Sequence, residues 1–225
     1  MRKTQFANEE RYHICNRGVD KRDIFMDRSD YERFLICMDL VNDTRIGVTE
    51  DWRNFIKSNP GAKLSDFREL SSGKAGKDIE RLVKYNFFCL NPNHYHLTLE
   101  QLMEKGVEKF MHKLSTSYTN YFNTKYNRSG SLFQGPFKSV HINTNEYFLY
   151  LSAYVNKNHL IHGYKEGDDW PYSSLFDYLG KRGGTFCDTS PVMDQFSGIK
   201  EYEDFIKSNA LYMKEKKETE KYLLE

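Results

Sequence analysis

Residues 94–96 read His-Tyr-His. On a strand, successive side chains alternate sides, so His94 and His96 share one face while Tyr95 takes the other. Two imidazoles on one strand face make a platform for two ligands of a divalent cation, the third to come from elsewhere in the fold. Much later in the chain, Tyr154 and Asn158 stand four apart in a segment with helical periodicity, which stacks them on one helix face. The phenol is a candidate oxygen nucleophile, and the asparagine carbonyl a candidate ligand for the same cation. Each feature has a plainer reading when taken singly. The histidines can be two half-exposed polar residues on a sheet, and Tyr154 is one of 16 tyrosines.

The elements that must carry these groups are legible as patterns. Residues 11–16 alternate as a short strand, closed by the turn residues Asn16-Arg17-Gly18. Ser29 to Glu32 has capping-box spacing ahead of Phe34, Leu35, Met38 and Val41, which recur at helical intervals. Val83 to Leu90 reads as a strand, Asn91-Pro92-Asn93 interrupts it, and His94 to Leu99 resumes with strict alternation. A long amphipathic helix follows over 104–126, then a strand with a Gly-Pro irregularity over 132–142. Asn145 is placed to cap a helix from Glu146 to about Asn158, with Phe148, Leu151 and Val155 on its core side. A turn-rich stretch near Gly180 to Gly184 leads to another helix around Glu201 to Leu211.

Composition narrows the class. With 225 residues the chain is one elaborated domain or a domain with an appendage, and 16 Phe, 16 Tyr and 2 Trp supply core. Residues 42–79 are polar, with breakers at Asn59-Pro60-Gly61 and Ser71 to Gly76, and read as an insertion with little core. The four cysteines form no C-x-x-C pair and read as reduced core residues. No apolar run has the length of a signal sequence or a membrane span, so a soluble, cytoplasmic protein without a membrane partner is expected. The 33 Lys and Arg nearly balance 32 Asp and Glu, so any surface for a polyanion must be local.

Five blocks, in order, resemble a known family: RYHICNRGVDKRDIF, NPNHYHLTLE, YFNTKYNRSGSLFQGPFKSVHI, EYFLYLSAYVNKNHLIHGY and DWPYSS. Over residues 8–178 the chain is similar to the single-tyrosine transposases of the HUH class, with an IS200-like transposase domain, and within them to the REP-associated tyrosine transposases. The resemblance implies that His94, His96 and Asn158 hold Mg²⁺ or Mn²⁺ and that Tyr154 attacks single-stranded DNA beside a hairpin or palindromic repeat. It also implies a ferredoxin-like α+β fold: a central antiparallel sheet, helices packed on one face, and a C-terminal helical extension. On this reading residues 1–179 form the transposase domain, 180–225 the extension, and the protein works as a monomer or homodimer. Two departures stand out: His159 follows the asparagine where the family has proline, and Pro136 follows Gln134-Gly135 where a basic residue is common.

The chemistry suits those residue types. A phenol with an ordinary pKa of about 10 needs a nearby cation or base to react at neutral pH. Attack on a phosphodiester leaves a 5′-phosphotyrosine and a free 3′-hydroxyl, and a second 3′-hydroxyl can reverse the step. The expected activity is therefore a metal-dependent single-stranded DNA endonuclease and strand transferase. The alternatives are a domesticated protein that binds structured single strands without cutting, and a metal hydrolase that uses water. Candidate DNA contacts are Arg17, Lys21, Arg22, Lys113, Lys125, Arg128 and Lys138, with Phe133 and Phe137 as base-stacking partners. His13, His112, His141 and His162 lack the paired spacing and read as ordinary surface or core residues, His13 being the one whose strand could bring it near the site.

Overall fold

The computed structural model describes residues 4–75, 79–164, 169–182 and 186–222, without the side chains of 72–75 and 216–222. In chain order the elements are β1 (Arg11–Arg17), α1 (Arg28–Val41), α2 (Val48–Ser58), α3 (Leu64–Ala75), β2 (Val83–Asn91), β3 (His94–Gln101), α4 (Gly106–Lys125), β4 (Lys138–His141), α5 (Asn145–Asn156), α6 (Asn158–Ile161), α7 (Leu175–Tyr178), α8 (Ser190–Met193) and α9 (Ile199–Tyr222). The sheet runs β2-β3-β1-β4, and every neighbouring pair is antiparallel. Two β-α-β units are thus interleaved, each with a strand of the other lying between its own two. That is the ferredoxin-like arrangement.

Alternation divides the sheet chemically. On one face Tyr12, Ile14, Tyr95, Leu97 and Leu99 pack against Phe34 and Met38 of α1 and Phe110, Leu114 and Tyr118 of α4. Truncating a ring buried as deeply as Phe110 costs about 3–5 kcal/mol. The other face is covered by α5, the Tyr154 helix, together with α9. Phe87, Phe88, Cys89 and Leu90 are all fully buried, so β2 is apolar on both sides. Phe87 and Cys89 meet Phe148, Leu151 and Val155 of α5 and Tyr202 and Ile206 of α9.

Several boundaries differ from the sequence reading. Helix α1 starts about half a turn earlier, because the reciprocal capping pair is Asp27 with Asp30 and not Ser29 with Glu32. Thr144, not Asn145, caps α5, its Oγ1 accepting the Tyr147 N–H at 3.1 Å. The strand expected over 132–142 shrinks to β4, since Gly135 sits at φ +69° and Pro136 has no N–H to give a ladder. Ser71 to Ala75 stay helical within α3, while Gly76 lies outside the described residues. Part of the Gly180 to Gly184 stretch also lies outside them, and the final helix runs to Tyr222.

The insertion has a small core of its own, where little was expected: Val48, Trp52 and Phe67 close over Leu40 of α1. Arg68 pins it down through ion pairs to Asp39 at 2.6 Å and Asp43 at 2.9 Å. Burial pushes the Asp43 carboxyl up, but hydrogen bonds from Arg45 and Arg68 outweigh it and hold the group below the usual carboxylate range.

Candidate active site

Register brings the chemistry together. His94 lies opposite Arg17 of β1 and Asn91 of β2, and His96 lies opposite Cys15 and Cys89. Cys15 in turn pairs with Lys138 of β4. Directly opposed residues share a face, so one side of the sheet presents His13, Cys15, Arg17, Asn91, His94, His96 and Lys138. Above it stands α5, anchored by buried Phe148, Leu151 and Val155, with Tyr154 half-buried between helix and sheet. The resulting cleft of about 590 Å³ is lined by Cys15, Asn16, Arg17, Lys21, Asn93, His94, His96, Gln134, Lys138, Tyr154, His162 and Tyr164.

The β2–β3 turn is held from below. Gly18 donates its N–H to Asn93 O at 2.9 Å, and Ile24 and Phe25 donate to Pro92 O at 2.7 and 3.0 Å. A side chain at position 18 would bring its Cβ within 2.2 Å of Arg22 O, so glycine is what permits this approach. Asn93 is then fixed by donating Nδ2 to Lys21 O at 3.3 Å, which leaves its Oδ1 as the acceptor. That oxygen receives the Tyr164 hydroxyl at 2.9 Å and faces His94 Nδ1 at 2.7 Å.

Nδ1 of His94 must therefore carry the proton, and in the neutral ring Nε2 bears a lone pair. Asn158 Oδ1, another acceptor, lies 3.2 Å from that Nε2. Asn158 is fully buried, and its Nδ2 finds no partner in hydrogen-bonding geometry. Two convergent lone-pair atoms, one imidazole and one amide oxygen, are the donor types that suit Mg²⁺ or Mn²⁺. His96 lies on the same sheet face, its Nδ1 2.8 Å from His13 Nε2. The residues present fit a divalent cation.

Tyr154 completes the arrangement, its ring edge-on to His96 with centroids 5.5 Å apart. Burial pushes its phenol above the ordinary range, while Asn158 beside it works in the opposite direction. The phenol is thus protonated at neutral pH and needs a further positive influence to react. Tyr154 and Asn158 do not share one continuous helix: α5 ends at Asn156, Lys157 departs from helical geometry, and Asn158 opens α6.

The basic candidates divide. Arg17, Lys21 and Lys138 line the cleft. Lys113 and Lys125 lie on α4, across the sheet, along a groove between α4 and the start of α2. There Lys125 is held by Asp27 and Asp30 at 2.8 and 2.7 Å, and Lys113 donates to Asp43 O at 3.0 Å. Arg22 bonds Val19 O at 3.1 Å, and Arg128 caps Asn123 Oδ1 at 3.2 Å over the Phe122 ring. Phe133 is buried in the first core, and Phe137 packs against it. His159, placed by sequence next to the cation site, instead stacks on Trp170, with centroids 6.0 Å apart.

Sequence spacing missed His162 and Tyr164, and named His13 only as a residue whose strand could bring it near. The His13 ring stacks on His96, and the His162 ring lies 4.9 Å from His94, centroid to centroid. Parity along β1 places His13, Cys15 and Arg17 on one face, but only register shows that this is the His94 face.

Residues 64–158 match the family described as Transposase IS200 like, a span holding His94, His96, Tyr154 and Asn158. That stretch is similar to IS200-like transposases. No curated protein matches the chain. Among solved structures it is similar to a REP-associated tyrosine transposase bound to a REP hairpin, at 12% identity and TM-score 0.49 over 85% of this chain and 96% of that one. Among the described residues no helix is long and apolar enough to cross a membrane.

Proposed function

We propose that the protein is a metal-dependent endonuclease and strand transferase for single-stranded DNA carrying a hairpin, acting through a 5′-phosphotyrosine at Tyr154. The observation that carries this reading is the meeting, at the base of one cleft, of the Tyr154 ring with His96 and of His94 Nε2 with the buried Asn158 Oδ1. Arg17, Lys21 and Lys138 on its walls supply cations for a DNA backbone. A bound Mg²⁺ or Mn²⁺, held by His94, His96 and Asn158, would polarise a non-bridging phosphate oxygen.

The chain's own groups do the rest. Arg17, Lys21 and Lys138 seat the phosphodiester, and α5 holds Tyr154 Oη beside it so that attack on phosphorus competes with no search for geometry. The new bond joins Tyr154 Oη to phosphorus while the bond from phosphorus to the 3′ oxygen breaks. The phenol loses its proton, and the leaving oxygen gains one to become a 3′-hydroxyl. The linkage keeps the phosphodiester's energy, so a second 3′-hydroxyl restores the tyrosine and joins strands.

The experiment incubates labelled single-stranded, hairpin and duplex oligonucleotides with the protein and Mn²⁺, then denatures the mixture. A denaturant-resistant adduct on hairpin-bearing single strands is expected, with Tyr154→Phe losing cleavage and adduct but keeping DNA binding. Cleavage that survives Tyr154→Phe, or an adduct mapped to Tyr147 or Tyr150, would sink the nucleophile assignment. Equal cutting of duplex would replace it with a general nuclease.

A further inference from the structure

Asn91 ends β2 directly opposite His94, and its side chain is fully buried. Its Nδ2 donates to Asn158 Oδ1 at 2.7 Å and lies 3.1 Å from His94 Nε2. Since Nε2 bears a lone pair, both N–H bonds of this amide go to atoms proposed to hold the cation. Two acceptors 3.2 Å apart repel each other unless something positive lies between them. In this arrangement the Asn91 N–H groups are that positive element. A cation and two N–H donors cannot share the same lone pairs, so the amide has to change when the cation arrives.

Its other end shows how. Asn91 Oδ1 receives the thiol of Cys89, buried two residues back on the same strand face, at 3.6 Å. A thiol is both a weak donor and a weak acceptor. Turning the amide over about its last bond exchanges Oδ1 with Nδ2, so Cys89 Sγ accepts where it donated. The thiol gives up a weakly held acceptor and gains an N–H donor in its place. Oδ1 then stands where the N–H groups were, beside His94 and Asn158, as an oxygen of the kind that Mg²⁺ and Mn²⁺ prefer.

Resting on the metal-dependent reading above, we propose that Asn91 is a convertible member of the site. Without the cation it is an N–H bridge that holds His94 and Asn158 together; with the cation it is an additional oxygen ligand.

Mn²⁺ binding to the full chain tests this, by calorimetry and by water-proton relaxation, which reports how many waters remain on the ion. Asn91→Ala is expected to bind roughly tenfold more weakly and to leave an extra water on Mn²⁺. Asn91→Asp, close to isosteric and charged, is expected to bind roughly tenfold more tightly with the wild-type water number. An Asn91→Ala chain that binds as tightly as wild type, or more tightly, with unchanged relaxation overturns the ligand role. If Asn91→Ala does not fold, Asn91→Asp decides alone, and an affinity at or below wild type overturns the proposal. Failure of the underlying metal reading has a different signature, in which wild type binds no Mn²⁺ or His94→Ala binds it equally well.

Discussion

Nε2 of His13 lies 2.8 Å from Nδ1 of His96, and the two rings stack 17° from parallel. The contact orients the His96 ring, as a hydrogen-bond partner behind a metal-ligating imidazole does. His13→Ala should therefore weaken Mn²⁺ binding roughly tenfold while leaving the fold intact, and His13→Gln, which restores an acceptor, should recover most of it. Calorimetry on the three proteins decides; equal affinities would show that His13 is only packing.

The ligands themselves should rank by chemistry. His94→Ala and His96→Ala are expected to abolish Mn²⁺ binding together with activity, whereas Asn158→Ala weakens it less, because a neutral carbonyl contributes less than an imidazole. Chelator should silence the wild type, and added Mg²⁺ or Mn²⁺ should restore it. Full cleavage in chelator refutes a catalytic metal.

Stability should fall in mild acid. Burial holds His13 down at a pKa of about 4, and burial together with the nearby imidazoles of His13, His94 and His162 holds His96 well below its ordinary value. Both folded values lie under the unfolded value of about 6.5, so the unfolded chain takes up protons first. The stabilisation is present in full above that pH and is lost as pH falls toward 4, at up to about 1.4 kcal/mol per pH unit for each histidine. Urea unfolding of wild type and His13→Gln at several pH values between 7 and 4.5 should show the shallower dependence in the variant. An identical dependence assigns the acid lability elsewhere.

Salt should separate cleft cations from structural ones. Removing Arg17, Lys21 or Lys138 is expected to reduce the salt slope of single-strand binding by about 0.7 each, the value for one phosphate contact. Lys125→Ala should leave the slope unchanged and lower stability instead, because Asp30, wholly buried, would lose its ion pair. A slope change in Lys125→Ala would move the DNA path to the α4 face.

The insertion offers a control remote from the site. Arg68→Ala removes one of the two guanidinium groups on the buried Asp43 side chain, Arg45 remaining, and should cost about 2 kcal/mol in denaturant unfolding. Mn²⁺ affinity should not change, since α1 and its neighbours lie on the face opposite His94. A parallel loss of affinity would couple the two faces.

Local pattern was enough for part of this molecule. Alternation put His94 and His96 on one side of a strand and Tyr95, Leu97 and Leu99 on the other, and the structure keeps that division. The 3.6-residue period found α4 and the buried side of α5, because both are set by burial of nearby positions along one element. What reaches across elements was not legible. Nothing along β1 says that His13 meets His96, because register depends on how separate strands pair. Spacing alone did not show that α5 breaks at Lys157, nor that Asn91 spans His94 and Asn158. Those contacts join residues up to 83 apart in the chain, and only packing of both sheet faces brings them within hydrogen-bonding distance.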